Sequence, residues 1–340
     1  MRECLKLAGN ALGMTAPNPL VGSVIVREHK IIGRGHHKMA GLPHAEVEAI
    51  NDAIDRVEGA TLYCNLEPCC HTKKRTPPCT QFIIEKKIKK VVIGMLDPNP
   101  EVSGKGVEIL RAAGIEVVVG ILEEECRELN RVFIKQMTSN LPYVHVKWAQ
   151  GINGVMANDE KRLMISNEEA LKYGHELRQS YDAILIGRNT LNADDPKLTV
   201  RYSNGLEGKS LRKIIIGDLE LMKKSTHLFK HDFENLIFVT KNKSIAQNHS
   251  QCIGFDEFDW SKVLTELRSK FGIHSILVEG GIKTNESLLN SGLIDRVSIL
   301  TSPTAFEGRG ISKDHYLKLN DFKKVIVKEL GHNQLTEYMN

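Results

Sequence analysis

In the N-terminal part of the chain, His44-Ala45-Glu46, Glu67-Pro68-Cys69-Cys70 and Cys79 supply an imidazole, thiols and carboxylates. Histidine with two thiolates is a zinc set that leaves a fourth tetrahedral position for water. Zinc lowers the pKa of that water to about 7, which makes hydroxide at neutral pH. A carboxylate that is not a ligand can then shuttle protons, and Glu46 is the candidate. Residues i and i+2 of a regular helix do not face each other, but a place in the first turn, just after Pro43, relaxes that objection. Thr76 can cap a helix with Pro77 at its first position, putting Cys79 in the first turn. There the helix dipole lowers a thiol's pKa. Cys69 is preferred as the other thiolate because it directly follows Glu67-Pro68, and Cys70 is its rival. A purely structural zinc would instead close its shell with Cys70 or His71. Cys4, Cys64, Cys126 and Cys252 read as small packed residues.

These groups come from distant segments, so a scaffold must bring them together. VGSVIV (21–26) reads as a short buried strand, with a turn near 28–30 and a return strand around 31–33. HAEVEAINDAI (44–54) has helical spacing at Val47, Ile50 and Ile54. Strands are expected at 60–66, 91–95 and 115–121, and helices at 79–88 and 105–114, the latter closed by Gly114. A further helix runs to about Thr138, and the N-terminal stretch has amphipathic spacing at Leu5, Ala8 and Leu12. SNLPY (139–143) reads as a linker. The pattern then restarts with a strand at 143–149, a helix at 167–180 and a strand at 182–187. More strands are expected at 213–217, 235–240, 274–281 and 296–303. Strands alternating with helices argue for α/β domains whose sheets are largely parallel after the opening hairpin. LVEGGIKTNESLL (277–289) is a strand, two glycines and a helix start, which can place a phosphate at a helix N-terminus. It lacks the full G-x-G-x-x-G fingerprint.

Bulk properties bound the reading. A chain of 340 residues is too long for one ordinary core, so two domains are expected. Hydrophobic content of 41% and charged content of 26% are those of a soluble globular protein. The net charge of +4 is mild and the basic residues are dispersed, which neither suggests nor excludes a nucleic-acid partner. No apolar run approaches a membrane span, and the N-terminus has no signal-peptide core. Seven unevenly spaced cysteines do not look like a disulfide framework, so a reducing cytoplasm with thiolates free for metal is expected.

H-x-E followed by P-C is the signature of zinc-dependent base deaminases, here with the second cysteine farther away than usual. More pieces match in order along nearly the whole chain. They are APNPLVGSVIV (16–26), GHHKMAGLPHAEVEAI (35–50), LEPCCHTKKRTPPCT (66–80), DPNPEVSGKG (97–106), DAILIGRNTLNADDPKLTVR (182–201) and LVEGG (277–281). In these the sequence resembles the bifunctional riboflavin-biosynthesis enzymes, a pyrimidine deaminase fused to a reductase. The resemblance implies an α/β protein: a cytidine-deaminase-like three-layer domain over 1–140, then a dihydrofolate-reductase-like α/β domain over 141–340. It implies one zinc per chain in the first and NADPH in the second. The first would hydrolyse the exocyclic amine of 2,5-diamino-6-ribosylamino-4(3H)-pyrimidinone 5′-phosphate, and the second would reduce the ribosyl group to ribityl. The partners implied are a nucleotide-like small molecule and further copies of the chain, with neither nucleic acid nor membrane.

By the same resemblance, His44, Cys69 and Cys79 hold zinc and Glu46 moves protons. Asn18, His37, His71, Arg75, Asp97 and Asn99 line the deaminase pocket, with the planar fork of Arg75 suited to phosphate. Asn18 and Asn99 also stand beside prolines, where a turn would use them. In the reductase half, Arg178, Leu198, Arg201 and Glu279 match substrate-contacting positions, the two arginines as a phosphate clamp. Ala149, Met164, Thr190, Asp194 and the run Gly281, Ile282, Lys283, Thr284, Asn285, Glu286, Ser287 match cofactor-contacting positions. Three features depart from the family pattern. Lys73-Lys74 lengthens the loop between the cysteines. Gly151-Ile152-Asn153-Gly154 stands where the family reads S-x-D-G, and Met164 replaces a tryptophan. The latter two keep open a second reading, a deaminase whose reductase-like half is inactive.

Overall fold

The structure, a computed structural model, describes residues 1–70, 77–201, 211–247 and 250–340. The chain forms two compact units, Met1–Ser139 and Asn140–Asn340. The first runs α1 (Arg2–Gly9), β1 (Gly22–Arg27), β2 (Lys30–His36), α2 (Ala45–Asn51), β3 (Thr61–Leu66) and α3 (Cys79–Glu85). It continues with β4 (Lys90–Met95), α4 (Lys105–Ala112), β5 (Glu116–Val119), α5 (Glu123–Leu129) and α6 (Arg131–Thr138). Its sheet has the order β2-β1-β3-β4-β5. β1 is antiparallel to both neighbours, while β3, β4 and β5 are parallel.

Glycines let helices approach this sheet from both sides. A Cβ on Gly22 would fall 2.1 Å from the Cys4 carbonyl oxygen in α1, and one on Gly35 2.3 Å from the Ala49 nitrogen in α2. Gly35 pairs with Ser23, the neighbour of Gly22, so the two glycines face opposite sides of the sheet. The result is the three-layer arrangement, with Ile25, Leu62, Val91 and Ile93 in its core. Cys4, Cys64, Cys126 and, in the second unit, Cys252 are buried thiols.

Two helices differ from the sequence reading. The helix expected over 44–54 ends at Asn51, because Asp52 Oδ2 accepts from the Arg34 N–H and Ile54 N–H donates to the Ile32 carbonyl. These bonds turn the chain along β2, and Ile54 is exposed rather than part of an apolar face. The helix expected to reach Thr138 unbroken is interrupted at Asn130. That side chain brackets Leu20, accepting from its N–H at 2.8 Å and donating to its carbonyl at 3.0 Å.

The second unit contains β6 (Tyr143–Gly151), β7 (Val155–Ala157), α7 (Glu168–Gln179), β8 (Ala183–Gly187), α8 (Arg188–Asp194) and β9 (Arg212–Ile216). α9 (His227–His231), β10 (Leu236–Thr240), α10 (Lys243–Gln247), β11 (Cys252–Gly254), α11 (Trp260–Phe271) and β12 (Ser275–Val278) follow. It closes with α12 (Ile282–Ser291), β13 (Arg296–Ser302), β14 (Arg309–Gly310), α13 (Lys313–Leu317), β15 (Lys323–Leu330) and β16 (Asn333–Met339). The large sheet has the order β11-β10-β9-β8-β12-β6-β13-β16-β15, parallel from β11 to β13. The antiparallel β15–β16 hairpin escaped the sequence reading because most of β15 is exposed on both faces and shows no alternation.

On one face Val146, Trp148, Val278 and Ile299 pack beneath α11 and α12. On the other, Lys147 of β6 and Ser298 of β13 meet Gly174 and Tyr173 of α7. β12 inserts between β8 and β6, so the strand order reverses there. The C-terminal ends of strands at such a switch are where open parallel sheets bind ligands.

Candidate metal centre and cofactor site

His44 is the N-cap of α2, with extended backbone (φ −75°, ψ 160°), and Glu46 is buried at the second helical position. The i, i+2 objection therefore lapses, since His44 is not itself helical. Cys79 opens α3, with Pro78 rather than Thr76 as its N-cap. This corrects the expected helix start. Pro77 precedes the helix, and Thr76, His71 and Arg75 lie outside the described residues. Cys79 does stand in the first turn, and its N–H donates to Cys69 Sγ at 3.4 Å.

From His44 Nδ1, the sulfurs of Cys79 and Cys69 lie at 3.3 and 3.5 Å. The ligand atoms of all three residues fall within 4.8 Å of one another. Among the described residues Cys70 stands outside this cluster, half-buried, its thiol pKa raised by burial and by Glu67. One imidazole and two thiols are the donor set of a catalytic zinc site, so the residues present fit zinc.

Beside the cluster, His37 donates from Nδ1 to the Pro43 carbonyl at 3.1 Å. Burial lowers its pKa, so the neutral ring keeps Nε2 as an acceptor for the Asn18 amide at 3.0 Å. The His37 ring meets His44 edge-on, with centroids 5.4 Å apart. Asp97 is buried and accepts from the Asn99 N–H at 2.8 Å, while Asn99 accepts from the Glu101 N–H at 3.0 Å. Asn99 thus serves a turn as well as standing near Asp97.

In the second unit, Arg178 meets Glu279 in a bidentate pair, and its Nη1 also donates to the Thr199 carbonyl at 3.0 Å. Its fork is thereby engaged with protein. The clamp read from sequence is not symmetric: Arg178 orients Glu279, while Arg201 is exposed. Arg201 Nη2 donates to His175 Nε2 at 3.1 Å, and His175 Nδ1 donates to the Thr199 carbonyl at 3.0 Å. Burial, with Arg178 and Arg201 nearby, lowers the His175 pKa and keeps that acceptor available. Burial alone would raise the Glu279 carboxyl, yet Arg178 and Lys147 outweigh it and hold it at about 2. Burial likewise lowers the Lys147 ammonium, against the pull of Glu279. Lys147 Nζ lies 3.6 Å from where a Cβ on Gly174 would stand, so α7 covers it closely.

Leu198 has φ of 49°, and its side chain packs with Ile184, Ile186 and Leu191. Its side chain is thus committed to the core, and its backbone is held in the strained left-handed region.

At the strand switch, α8 starts at Gly187 and α12 at Gly281. A Cβ on Gly187 would fall 2.7 Å from Thr284 Oγ1, and one on Gly281 3.0 Å from Thr190 Oγ1. The two starts interlock, leaving bare backbone at adjacent strand ends, a cradle that fits the phosphates of NADPH. Ile282 and Lys283 share the first turn of α12 with Thr284. Asn285 is buried inside, Glu286 accepts from the Ser312 N–H at 2.8 Å, and Ser287 accepts from Trp260 Nε1–H at 2.8 Å. The last two side chains therefore serve α13 and α11. Ala149 lies on β6, Asp194 ends α8, and Met164 is 75% exposed.

The departures at 151 and 153 have one cause. A Cβ on Gly151 would fall 2.6 Å from the Phe306 ring and 2.7 Å from the Thr304 carbonyl oxygen. Asn153 donates from Nδ2 to the Phe306 carbonyl at 2.8 Å and accepts from its N–H at 3.3 Å. A serine at 151 has no room, and an aspartate at 153 would set a carboxylate against that carbonyl.

Lys147, His175 and Glu67 were not singled out from the sequence. Glu67 lies inside E-P-C and Lys147 two residues before Ala149, so position beside a motif was the available signal. His175 carried none, because its role depends on Thr199 and Arg201 arriving from another segment.

A family model for the cytidine and deoxycytidylate deaminase zinc-binding region matches residues 1–95, and one for the RibD C-terminal domain matches residues 142–336. The riboflavin biosynthesis protein RibD of Aquifex aeolicus is 42% identical over 317 residues, 92% of this chain and 88% of that protein. The chain belongs to the RibD family. RibD of Escherichia coli is 34% identical over 351 residues, 98% of this chain and 95% of that one. The structure of Acinetobacter baumannii RibD matches with a TM-score of 0.86 at 31% identity, covering 99% of this chain and 97% of that one. A Thermotoga maritima diaminohydroxyphosphoribosylaminopyrimidine deaminase/5-amino-6-(5-phosphoribosylamino)uracil reductase matches with a TM-score of 0.85 at 35% identity, covering 100% and 97%. As a RibD family member, the chain is a riboflavin-biosynthesis enzyme with zinc-dependent deaminase and NADPH-dependent reductase activities. The reading with an inactive reductase half gives way to this family match, which spans both domains.

Proposed function

We propose that His44, Cys69 and Cys79 hold the zinc and that Glu46 moves the proton in deamination of 2,5-diamino-6-ribosylamino-4(3H)-pyrimidinone 5′-phosphate. The observation that carries this is the approach of both sulfurs to His44 Nδ1, at 3.3 and 3.5 Å. Zinc, when bound, supplies the Lewis acidity that makes water a nucleophile near neutral pH. Glu46, buried beside the ligand His44, accepts a proton on a carboxylate oxygen and returns it to the departing amine. Asn18, His37, Asp97 and Asn99 orient the pyrimidine, and His71 and Arg75 are assigned to the substrate by motif alone. The deaminase domain is 1–140 and the reductase domain 141–340.

In the second domain NADPH supplies the hydride. Lys147 Nζ gives a proton to the sugar oxygen, with Glu279 held ionised beside it and Arg178 fixing the rotamer of Glu279. Arg201, steadied by His175, meets the substrate phosphate, and the Leu198 backbone lines the sugar. Ala149, Met164, Thr190, Asp194 and residues 281–287 form the cofactor side, with Glu286 and Ser287 contributing through helix placement. We assign the protein to the cytoplasm as a homo-oligomer. Free cysteines fit a reducing compartment, and edge strand β15 exposes Ile326 and Val327.

The test is a coupled assay with the diaminopyrimidine substrate and NADPH. Ammonia release should precede NADPH oxidation, and Glu46→Gln should lose about a hundredfold or more of the ammonia rate while keeping zinc. A zinc-loaded Glu46→Gln protein with the wild-type rate would remove Glu46 from its role.

A further inference from the structure

Glu67 stands two residues before Cys69 and is only 2% exposed. Its carboxylate accepts from three backbone N–H groups: Oε2 from Asp97 at 3.1 Å and Gly104 at 2.9 Å, Oε1 from Val107 at 3.2 Å. Gly104 is the N-cap of α4, in the left-handed region (φ 84°), and has no side chain with which to cap. Glu67 supplies that cap from the end of β3, where the helix dipole favours a negative charge. The approach is close. A Cβ on Gly106 would fall 2.5 Å from the Pro68 carbonyl oxygen and 3.0 Å from Glu67 Oε1.

One buried side chain therefore ties the segment of Cys69 to the loop carrying Asp97 and Asn99. Asp97 Oδ1 in turn accepts from the Asn99 N–H, so the tie extends through both. A pyrimidine held by that loop must meet the metal cluster in one alignment, and slack between the segments loses it. We infer that Glu67 is a positioning residue of the deaminase, fixing the substrate loop at Asp97 relative to the ligand Cys69. This rests on the functional reading above. Glu67 touches neither substrate nor metal, and acts through Asp97.

Glu67→Gln keeps the size but sets an NH2 group against at least one backbone N–H. Glu67→Asp keeps the charge and withdraws it by a methylene. Each is made in the full chain and measured for zinc content, deamination kinetics, amide hydrogen exchange and NADPH oxidation with the deaminated substrate. For Glu67→Gln the expected result is wild-type zinc, wild-type NADPH oxidation, and a KM for deamination raised about tenfold with a smaller change in kcat. Amides of Asp97, Gly104 and Val107 should exchange roughly tenfold faster or more. Glu67→Asp should recover part of both effects, and it carries the test if Glu67→Gln does not fold. Unchanged KM and exchange overturn the inference, and so does loss of zinc with unchanged KM, which would make Glu67 a support of the metal alone. Absent wild-type turnover would overturn the functional reading together with this inference. Normal wild-type turnover with unmoved variants overturns the inference alone.

Discussion

The Arg178 guanidinium and the Glu279 carboxylate join through two parallel bonds, Nε to Oε1 at 2.7 Å and Nη2 to Oε2 at 2.9 Å. Both groups are largely buried, and Lys147 adds a second cation to the field of Glu279. Removing one partner of such a pair leaves the other charge uncompensated. Glu279→Gln should therefore destabilise the second unit by about 3 kcal/mol, read from urea unfolding. The carboxyl sits at about 2, below its unfolded value. A depressed carboxyl contributes stability that is complete above the unfolded pKa and lost as pH falls through the folded one. Wild-type melting temperature should fall between roughly pH 5 and pH 2 more steeply than that of Glu279→Gln. Parallel curves would show that the pair carries no such linkage.

Lys147 separates stability from activity. Burial disfavours its charged form while Glu279 favours it, so the two effects of Lys147→Met on stability oppose each other and the melting temperature should move less than for Glu279→Gln. NADPH oxidation should nevertheless fall by about a hundredfold or more. Because the ammonium pKa is lowered, the protonated donor is lost at a lower pH than for a free lysine, and wild-type reductase rate should decline early on the alkaline side. A Lys147→Met enzyme that keeps its rate would take this residue out of the proton transfer.

The metal cluster can be dissected sulfur by sulfur. Cys69→Ser and Cys79→Ser should each lose zinc and ammonia release, and Cys70→Ser should keep both, since its thiol stands outside the cluster. A strong chelator should abolish ammonia release and leave NADPH oxidation with the deaminated substrate intact. Zinc analysis of Cys70→Ser decides between the two adjacent thiols.

Asn153 uses both ends of its amide on Phe306, which an aspartate cannot do. Asn153→Asp should cost about 1–3 kcal/mol in urea unfolding. Gly151→Ser should also destabilise, through the Phe306 ring and the Thr304 carbonyl. The double variant should depart from additivity because both changes act on Phe306. Additive effects would mean that the two positions are independent.

The candidate zinc ligands were legible because their chemistry is scarce: few combinations of His, Cys and Glu at that spacing do anything else. Helix ends were less so. The start of α3 moved from Pro77 to Cys79, and α2 stopped short of Ile54 once Asp52 and Ile54 bonded to β2. Local capping preferences are worth about 1 kcal/mol, and tertiary hydrogen bonds override them. The β15–β16 hairpin was missed because an exposed edge strand has no buried face to write an alternating pattern.

The sequence by itself marked the candidate donors His44, Cys79 and one of Cys69 and Cys70, the candidate proton carrier Glu46, the two-domain α/β order and the glycines at 280–281. These follow from residue type and short spacing, which the chain carries locally. Tertiary structure alone decided that Cys69 rather than Cys70 faces His44, that Arg178 is engaged by Glu279, and that Glu67 holds the Asp97 loop. Each of those depends on where a second segment arrives and which way a side chain then points, and packing sets both.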